Sequence, residues 1–193
     1  MLDGYADFEK KIVEKEWIIL GLFDFMKKLI FIILLLKGML FLFPVTPILA
    51  QESTTFIITR HAERLDDSGD SPLSDIGKER AVRLADHLER AEITAIYSTP
   101  YKRTEETVTV LADNKNLEIG FFDSFEKETL SQLFETYNGG TIVVAGHSNT
   151  VPHIVNILIG EERFEDFDRS DYDNLFIITL DKMGEGKMVH LVY

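Results

Sequence analysis

The chain has 193 residues, contains no cysteine and carries a formal net charge of −13 at pH 7. The lack of cysteine excludes disulfide bonds and thiolate metal sites. We expect no nucleic-acid partner, because a strongly acidic surface repels the phosphate backbone and anionic membranes alike.

The N-terminal part of the chain differs in character from the rest. Lys27 and Lys28 open an apolar stretch that runs, with an interruption at Lys37, as far as Ala50. A basic start, an apolar run and a small residue before a polar segment are typical of a secretory signal peptide. We therefore predict a periplasmic or secreted protein that is cleaved after Ala50.

This pattern divides the chain into three parts. Residues 1–25 form an extension upstream of a natural signal start, which a start-site error would explain. Residues 26–50 are the signal peptide or, as the alternative, an uncleaved membrane anchor that would be the only membrane contact. Residues 51–193 have the length of one ordinary domain and carry the whole net charge, since acidic and basic residues balance in residues 1–50.

Strand and helix patterns alternate through this third part. β-branched and aromatic runs predict strands, and apolar residues at helical spacing predict helices. The predicted strands are 54–59, 93–98, 117–122, 141–145, 174–180 and 187–192. The predicted helices are 75–91, 99–114, 126–137 and 151–159. The order predicts an α/β fold, a three-layer αβα sandwich whose parallel-dominated sheet ends in an antiparallel edge hairpin.

Polar clusters follow three of these strands. Arg60 and His61 end the first strand, a second cluster runs from Ser98 to Arg103, and His147 follows the fourth strand. Ligands of open α/β sheets bind outside the carboxyl ends of the strands, so these side chains are expected to meet there. Two histidines and two arginines favour an anion over a zinc ion, which the arginines would repel.

The clusters resemble the motifs of a known family, the phosphoglycerate-mutase-like histidine phosphatase superfamily. Thr59–Glu63 resembles its Arg-His-Gly signature, although Ala62 replaces the glycine, as in short members of the phosphohistidine-phosphatase branch. Leu73–Gly77 is similar to its Leu-Ser-x-x-Gly helix start. Tyr97–Thr107 and Val143–Ser148 resemble the segments with the second arginine and the second histidine. The resemblance covers residues 54 to about 192.

The resemblance implies a role for each of the four central residues. His61 would be the nucleophile that becomes phosphohistidine, while Arg60, Arg103 and His147 would hold the phosphate oxygens. Such a site needs no metal or other cofactor, because its side chains neutralise the phosphate. The flanking residues predicted to contact the substrate are Glu63, Ser148 and Asn149.

Larger members of the family also use a carboxyl group as general acid for the leaving group. Asp123 is our first candidate, because it follows the third predicted strand at the expected edge. Glu126, Glu128 and Glu63 are the alternatives, and a solvent-facing loop is an equally good explanation for Asp123.

The sequence therefore predicts an extracytoplasmic phosphatase that hydrolyses small phosphomonoesters through phosphohistidine at His61. One alternative is a phosphoramidate or phosphohistidine phosphatase, and another is a non-catalytic module that binds a phosphate ligand or a protein. A third alternative is a serine hydrolase, since Gly146–Thr150 resembles the Gly-x-Ser-x-Gly nucleophile elbow. That elbow lacks its final glycine, however, and would leave Arg60 and Arg103 unexplained.

Overall fold

A computed structural model describes residues 3–40, 52–122 and 126–193, and the chain divides into two units, Met1–Leu49 and Ala50–Tyr193. In the first unit, helix α1 spans Asp3–Leu40 and runs through the predicted boundary at Met26. Between Trp17 and Leu35, the large apolar side chains that the structure describes are exposed. Among the described residues, no helix combines the length and apolarity needed to cross a membrane. The predicted cleavage site lies outside the described residues.

The described residues of the second unit form six strands and four helices. The strands are β1 (Thr54–Arg60), β2 (Ala95–Ser98), β3 (Ile119–Phe121), β4 (Thr141–Gly146), β5 (Asn174–Leu180) and β6 (Lys187–Val192). The helices are α2 (Asp75–His87), α3 (Lys102–Lys115), α4 (Lys127–Thr136) and α5 (Thr150–Ile159).

The strands form one sheet in the order β3-β2-β4-β1-β5-β6. The first four of these are mutually parallel, whereas β5 runs antiparallel to both β1 and β6. The predicted parallel-dominated sheet with an antiparallel edge hairpin is thus confirmed. Arg60 of β1 lies opposite Gly146 of β4, so the residues that follow them, His61 and His147, leave the sheet side by side.

Side chains alternate between the two faces of the sheet and make two buried layers. Phe56 and Val144 pack with α4 and α5, while Ile57 and Val143 pack with α2 and α3. This alternation is what the two-residue period of a strand requires, and it confirms the three-layer sandwich. Phe56 is fully buried, and truncating it to alanine would cost about 3–5 kcal/mol of stability.

Element ends differ from the predictions by a few residues. Helix α3 begins at Lys102 rather than 99, because Tyr101 keeps an extended backbone (φ −124°, ψ 140°). Helix α2 ends at His87, and Lys115 binds the carbonyls of the following turn. Asn116 adopts a left-handed conformation (φ 53°) that turns the chain, so β3 starts only at Ile119.

The start of α2 is hydrogen-bonded to the loop that follows β1. Ser74 caps the helix, its hydroxyl accepting from the Gly77 amide at 3.1 Å, and its own amide donates to the Glu63 carbonyl at 2.9 Å. A Cβ atom at Gly77 would collide with that carbonyl oxygen. Glycine is therefore required there, and it fixes the loop just beyond His61.

Candidate active site

The predicted clusters meet at a cavity of about 650 Å³ beyond the carboxyl ends of β1, β2 and β4. Its lining residues are Arg60, His61, Arg64, Thr99, Pro100, Tyr101, Arg103, His147, Ser148, Asn149, Thr150 and Arg169. None of these described lining residues is an aspartate or a glutamate. The cavity is therefore cationic in a strongly acidic chain.

The backbone around His61 fixes which nitrogen of its ring carries the proton. Nδ1 lies 2.7 Å from the Ala62 carbonyl oxygen. A carbonyl oxygen only accepts hydrogen bonds, so Nδ1 must donate and Nε2 keeps its lone pair. The Ala62 amide in turn donates to the Thr107 hydroxyl at 2.9 Å, which holds this short loop in place.

His61 is also kept neutral. Burial lowers the pKa of its imidazole to about 3, and the positive charges of Arg60 and Arg103 act in the same direction. Burial has a larger effect on this pKa than the neighbouring charges. At pH 7 the side chain is therefore a neutral imidazole with a free Nε2 lone pair, the form that can attack phosphorus.

Arg60 is buried (4% exposed) and held by the segment 161–173. Its Nη1 donates to the carbonyls of Asp168 (2.8 Å) and Asp171 (3.0 Å), and its guanidinium lies 4.2 Å from the Tyr172 ring centroid. Its buried Nε has no hydrogen-bond partner in the described part of the chain. A buried N–H that lacks an acceptor reduces the stability of the fold. An oxygen of a bound phosphate would be a suitable acceptor for it.

Arg103 reaches the cavity from the first turn of α3. Its Nη1 donates to the Gly69 carbonyl at 2.8 Å, and the guanidinium lies 4.6 Å from the Tyr101 ring centroid. The side chain is half-buried. The two predicted clamp arginines are therefore brought together, but loops on different sides of the cavity hold them.

The ring of His147 lies 5.4 Å from that of His61, centroid to centroid. Its Nε2 is 2.9 Å from the Thr99 hydroxyl, which contacts the Thr104 hydroxyl at 2.8 Å. Burial, with the positive charges of Arg103 and Arg60 acting in the same direction, lowers the pKa of His147 to about 4. At pH 7 His147 is thus neutral, and a phosphate dianion beside it would favour its protonated form.

Only two of the three residues predicted to contact the substrate line the cavity. Ser148 and Asn149 line the cavity, but Glu63 does not. Its carboxylate is bound by Arg80, whose Nη2 lies 2.6 Å from Oε1 and whose Nε lies 3.0 Å from both carboxylate oxygens. The prediction for Glu63 was made from its distance along the chain to His61, and this ion pair turns the side chain towards α2 instead.

The candidate general acids that the structure describes do not line the cavity. Asp123 lies outside the described residues. Glu126 and Glu128 are exposed at the start of α4 and do not line the cavity. The role of general acid therefore stays a prediction for Asp123.

Sequence reasoning missed several cavity residues. Thr99 and Tyr101 lie within the second cluster but were not chosen, since their neighbours Ser98 and Arg103 matched the motif. The other arginines missed in the lining are Arg64 and Arg169. Tyr172 was also missed; it does not line the cavity but packs against Arg60 and His61. Arg64 follows a strand end by four residues, a signal that was available, whereas the segment around Arg169 has no periodic pattern.

The serine-hydrolase alternative requires a base next to Ser148. The His147 Nε2 binds Thr99, and the His61 Nδ1 binds a carbonyl. Within the described ranges, no hydrogen bond joins the Ser148 hydroxyl to either histidine. The nucleophile–base pair that such catalysis needs is not formed there.

Comparison with known families and proteins gives sequence matches over part of the chain. The model of the histidine phosphatase superfamily (branch 1) matches residues 56–127. Phosphoserine phosphatase 1 of Hydrogenobacter thermophilus is 41% identical over 70 residues, which are 33% of this chain and 33% of that protein. The match thus spans about a third of the length of that relative.

Solved structures match over nearly the whole second unit. The protein histidine phosphatase SixA, solved with tungstate, has a TM-score of 0.60 and 21% identity, covering 72% of this chain and 96% of that chain. A phosphoserine phosphatase of Entamoeba histolytica, solved with 3-phosphoglyceric acid, has a TM-score of 0.54 and 14% identity over 65% of this chain and 90% of that one. The chain therefore shares the fold of these phosphatases, and its residues 56–127 are similar to the histidine phosphatase superfamily (branch 1).

Proposed function

We propose that the second unit is a phosphatase that carries the phosphoryl group on His61. The observation that supports this most strongly is the free Nε2 lone pair of His61 beside two arginines and a second histidine. Nε2 attacks phosphorus while the bond to the leaving group breaks, and the leaving group takes up a proton. Water then attacks phosphorus, the P–N bond breaks, and inorganic phosphate and the neutral imidazole are released.

The cavity supplies what phosphoryl transfer needs most, which is stabilisation of charge spread over the equatorial oxygens. The unpaired Nε of buried Arg60 offers one donor, and the guanidinium of Arg103 offers further ones. These donors are fixed by backbone carbonyls before any substrate arrives, so little reorganisation is required. A metal ion has no necessary part in this scheme.

We propose a small phosphomonoester as the substrate. The support is that two of the similar proteins are named as phosphoserine phosphatases. A phosphoramidate such as phosphohistidine is the second candidate, because no carboxylate is found among the described lining residues and SixA is named as a protein histidine phosphatase.

The proposal is tested with the full-length protein and a panel of phosphomonoesters and phosphoramidates. His61→Ala should abolish turnover, with a loss far above the ~10²–10³-fold expected for one stabilising donor, because it removes the bond-forming atom. Ser148→Ala is the control and should retain most of the activity. Full activity of His61→Ala with loss in Ser148→Ala would support the serine hydrolase instead.

Asp123 is proposed as the general acid of the first step. Asp123→Asn should slow alkyl phosphates by about 10²–10⁴-fold, whereas aryl phosphates, whose phenolate leaves unaided, should change little. The measurement is kcat/KM for an alkyl and an aryl ester of matched size. Equal, small effects on both esters would remove Asp123 from this role.

We also propose that the protein acts outside the cytoplasm, on the support of the basic and apolar pattern of residues 26–50. N-terminal sequencing of the exported protein should begin at Gln51. A protein that keeps residues 26–50 and stays in the cytosol would contradict this, and one that keeps them in the membrane would favour the anchor.

A further inference from the structure

Thr107 ends the motif that carries Arg103, but its side chain does not line the cavity. It is fully buried in α3, one turn after Arg103. A buried hydroxyl needs hydrogen-bond partners inside the protein, and those of Thr107 come from two different parts of the site.

The two hydrogen bonds of the Thr107 hydroxyl have a fixed direction. The Ala62 amide nitrogen lies 2.9 Å from Oγ1, and an amide N–H only donates, so the oxygen accepts there. The Arg103 carbonyl oxygen lies 2.6 Å from Oγ1 and only accepts, so the hydroxyl proton points towards it. The proton is therefore held within the helix, and a lone pair of the oxygen faces the Ala62 amide.

The Ala62 backbone also determines the state of the His61 ring. Nδ1 of His61 donates to the carbonyl of Ala62 at 2.7 Å. Ala62 is fully buried, and its side chain packs with Leu73 and Ala81. A movement of the Ala62 backbone would move the acceptor of Nδ1, and would thereby change both the orientation of the ring and its preference for a proton on Nδ1.

The residues on either side of Ala62 are bound to other elements. The His61 amide donates to the Gly146 carbonyl of β4 at 2.9 Å, and the Glu63 carbonyl accepts from the Ser74 amide at 2.9 Å. Thr107 supplies the acceptor for the amide that lies between these two contacts. Without the hydroxyl, this buried N–H would lose its partner, and a rotation of the peptide unit between His61 and Ala62 would relieve the loss.

We propose that Thr107 is a positioning residue for phosphoryl transfer: its hydroxyl fixes the Ala62 backbone and, through it, the orientation of the His61 ring and the proton on Nδ1. This inference rests on the proposed function, since it takes His61 as the nucleophile. Thr107 itself touches no substrate. Because its proton is bound to the Arg103 carbonyl, the same hydroxyl also joins the nucleophile loop to the helix that carries the second clamp arginine.

Three variants of the full-length protein isolate the contact with Ala62. Thr107→Val keeps the shape of the side chain but removes the hydroxyl, whereas Thr107→Ser keeps the hydroxyl. Thr109→Val is the matched control, because the Thr109 hydroxyl donates to the Glu105 carbonyl at 2.9 Å, the same contact within α3 that Thr107 makes with Arg103. In the part of the chain that the structure describes, Thr109 has no hydrogen bond to the nucleophile loop.

Nitrogen-15 chemical shifts of the His61 ring, measured at pH 7 without substrate, report the position of the proton. In the unsubstituted protein, Thr107→Ser and Thr109→Val, Nδ1 should have the shift of a protonated nitrogen and Nε2 that of an unprotonated one. In Thr107→Val the two shifts should move towards each other, because both neutral tautomers are then populated. His61→Ala identifies the signals.

Turnover of an aryl phosphate is the second measurement. Thr107→Val should lower kcat about 10–100-fold, as a small misplacement of a reacting group does. Its KM and its affinity for inorganic phosphate should change by less than about threefold, because Arg60 and Arg103 keep their donors. Thr107→Ser and Thr109→Val should keep the kcat of the unsubstituted protein.

Either unchanged ring shifts or an unchanged kcat in Thr107→Val would overturn the proposal. An equal loss of kcat in Thr109→Val would also overturn it, because the effect would then belong to α3 itself. If Thr107→Val does not fold, Thr107→Cys takes its place with the same changes expected, because a thiol is a weak acceptor.

The two measurements separate this proposal from the proposed function. An unsubstituted protein that hydrolyses no phosphate ester would contradict the phosphatase proposal. The ring shifts need no turnover, so they would still decide whether Thr107 fixes the proton of His61. Conversely, a fully active Thr107→Val variant would contradict the role of Thr107 and leave the phosphatase proposal standing.

Discussion

The cavity has two regions that are built differently, a floor and a rim. The floor consists of Arg60, His61 and His147, which follow directly from the paired strands β1 and β4. The rim consists of Arg64, Arg103 and Arg169. Arg103 comes from a helix start, and the other two come from loops. Strand pairing sets the floor, whereas the rim depends on how irregular segments pack.

The different construction of the floor and the rim suits them to different functions. Groups that must lie within hydrogen-bond distance of the reacting phosphorus gain from rigid strand ends. Groups that recognise the rest of a ligand tolerate loops, and loops are where binding residues are commonly found. We therefore expect substitutions in the floor to reduce catalysis most. A substitution of Arg103, which also binds the phosphate, should reduce catalysis less, and substitutions of Arg64 and Arg169 should alter selectivity.

The largest contrast should be between the two clamp arginines. Arg60→Lys should lower kcat/KM by about 10³-fold, because an ammonium group cannot both bind two backbone carbonyls and present the Nε donor. Arg103→Lys should cost nearer 10²-fold, since only one carbonyl anchors that half-exposed side chain. Steady-state kinetics on one phosphomonoester suffices. A larger loss in Arg103→Lys would reverse our assignment of floor and rim.

The floor should also make stability depend on pH. The pKa values of His61 and His147, about 3 and about 4, lie below the ~6.5 of an unfolded histidine. As the pH falls below 6.5, the unfolded chain takes up protons that the folded chain does not, so stability is lost. Each histidine contributes a slope of up to about 1.4 kcal/mol per pH unit.

Urea unfolding between pH 7 and 5 measures this slope. His61→Ala and His147→Ala should each flatten it, because each removes one group that must stay neutral in the folded state. Slopes identical to that of the unsubstituted protein in both variants would show that the two histidines titrate normally in the folded state.

The smallest effect on activity should come from Glu63, which lies outside both regions. Glu63→Gln should destabilise the protein by about 1–3 kcal/mol, because Arg80 loses a charged acceptor at a partly buried site. The KM should change by less than about threefold. Glu79→Gln, at an exposed position of α2, is the control for charge. A tenfold rise in KM only in Glu63→Gln would restore the predicted substrate contact.

The sequence was sufficient to predict the floor, for a physical reason. Strand patterns identify β1 and β4, and parallel pairing brings their carboxyl ends to one edge, so Arg60, His61 and His147 had to be neighbours. Arg103 was found by its spacing within a motif. The alternation of strands and helices along the chain also predicted the three-layer sandwich and its mostly parallel sheet.

The rest depended on contacts that no local pattern encodes. Arg169 reaches the cavity because the backbone carbonyls of Asp168 and Asp171 accept hydrogen bonds from Arg60. Every residue has a backbone carbonyl, so the sequence does not show which carbonyls will bind Arg60. Glu63 was assigned to the substrate by its closeness to His61 along the chain, but Arg80 of α2 binds it.

The central claim is that the phosphoryl group passes through His61. Rapid quenching of the full-length protein during turnover of an aryl phosphate, followed by peptide mapping under alkaline conditions, measures this directly. We expect an acid-labile, alkali-stable phosphate on His61, which His61→Ala lacks and Ser148→Ala retains. Phosphate found on Ser148, or turnover with no covalent phosphate on any residue, would contradict the account.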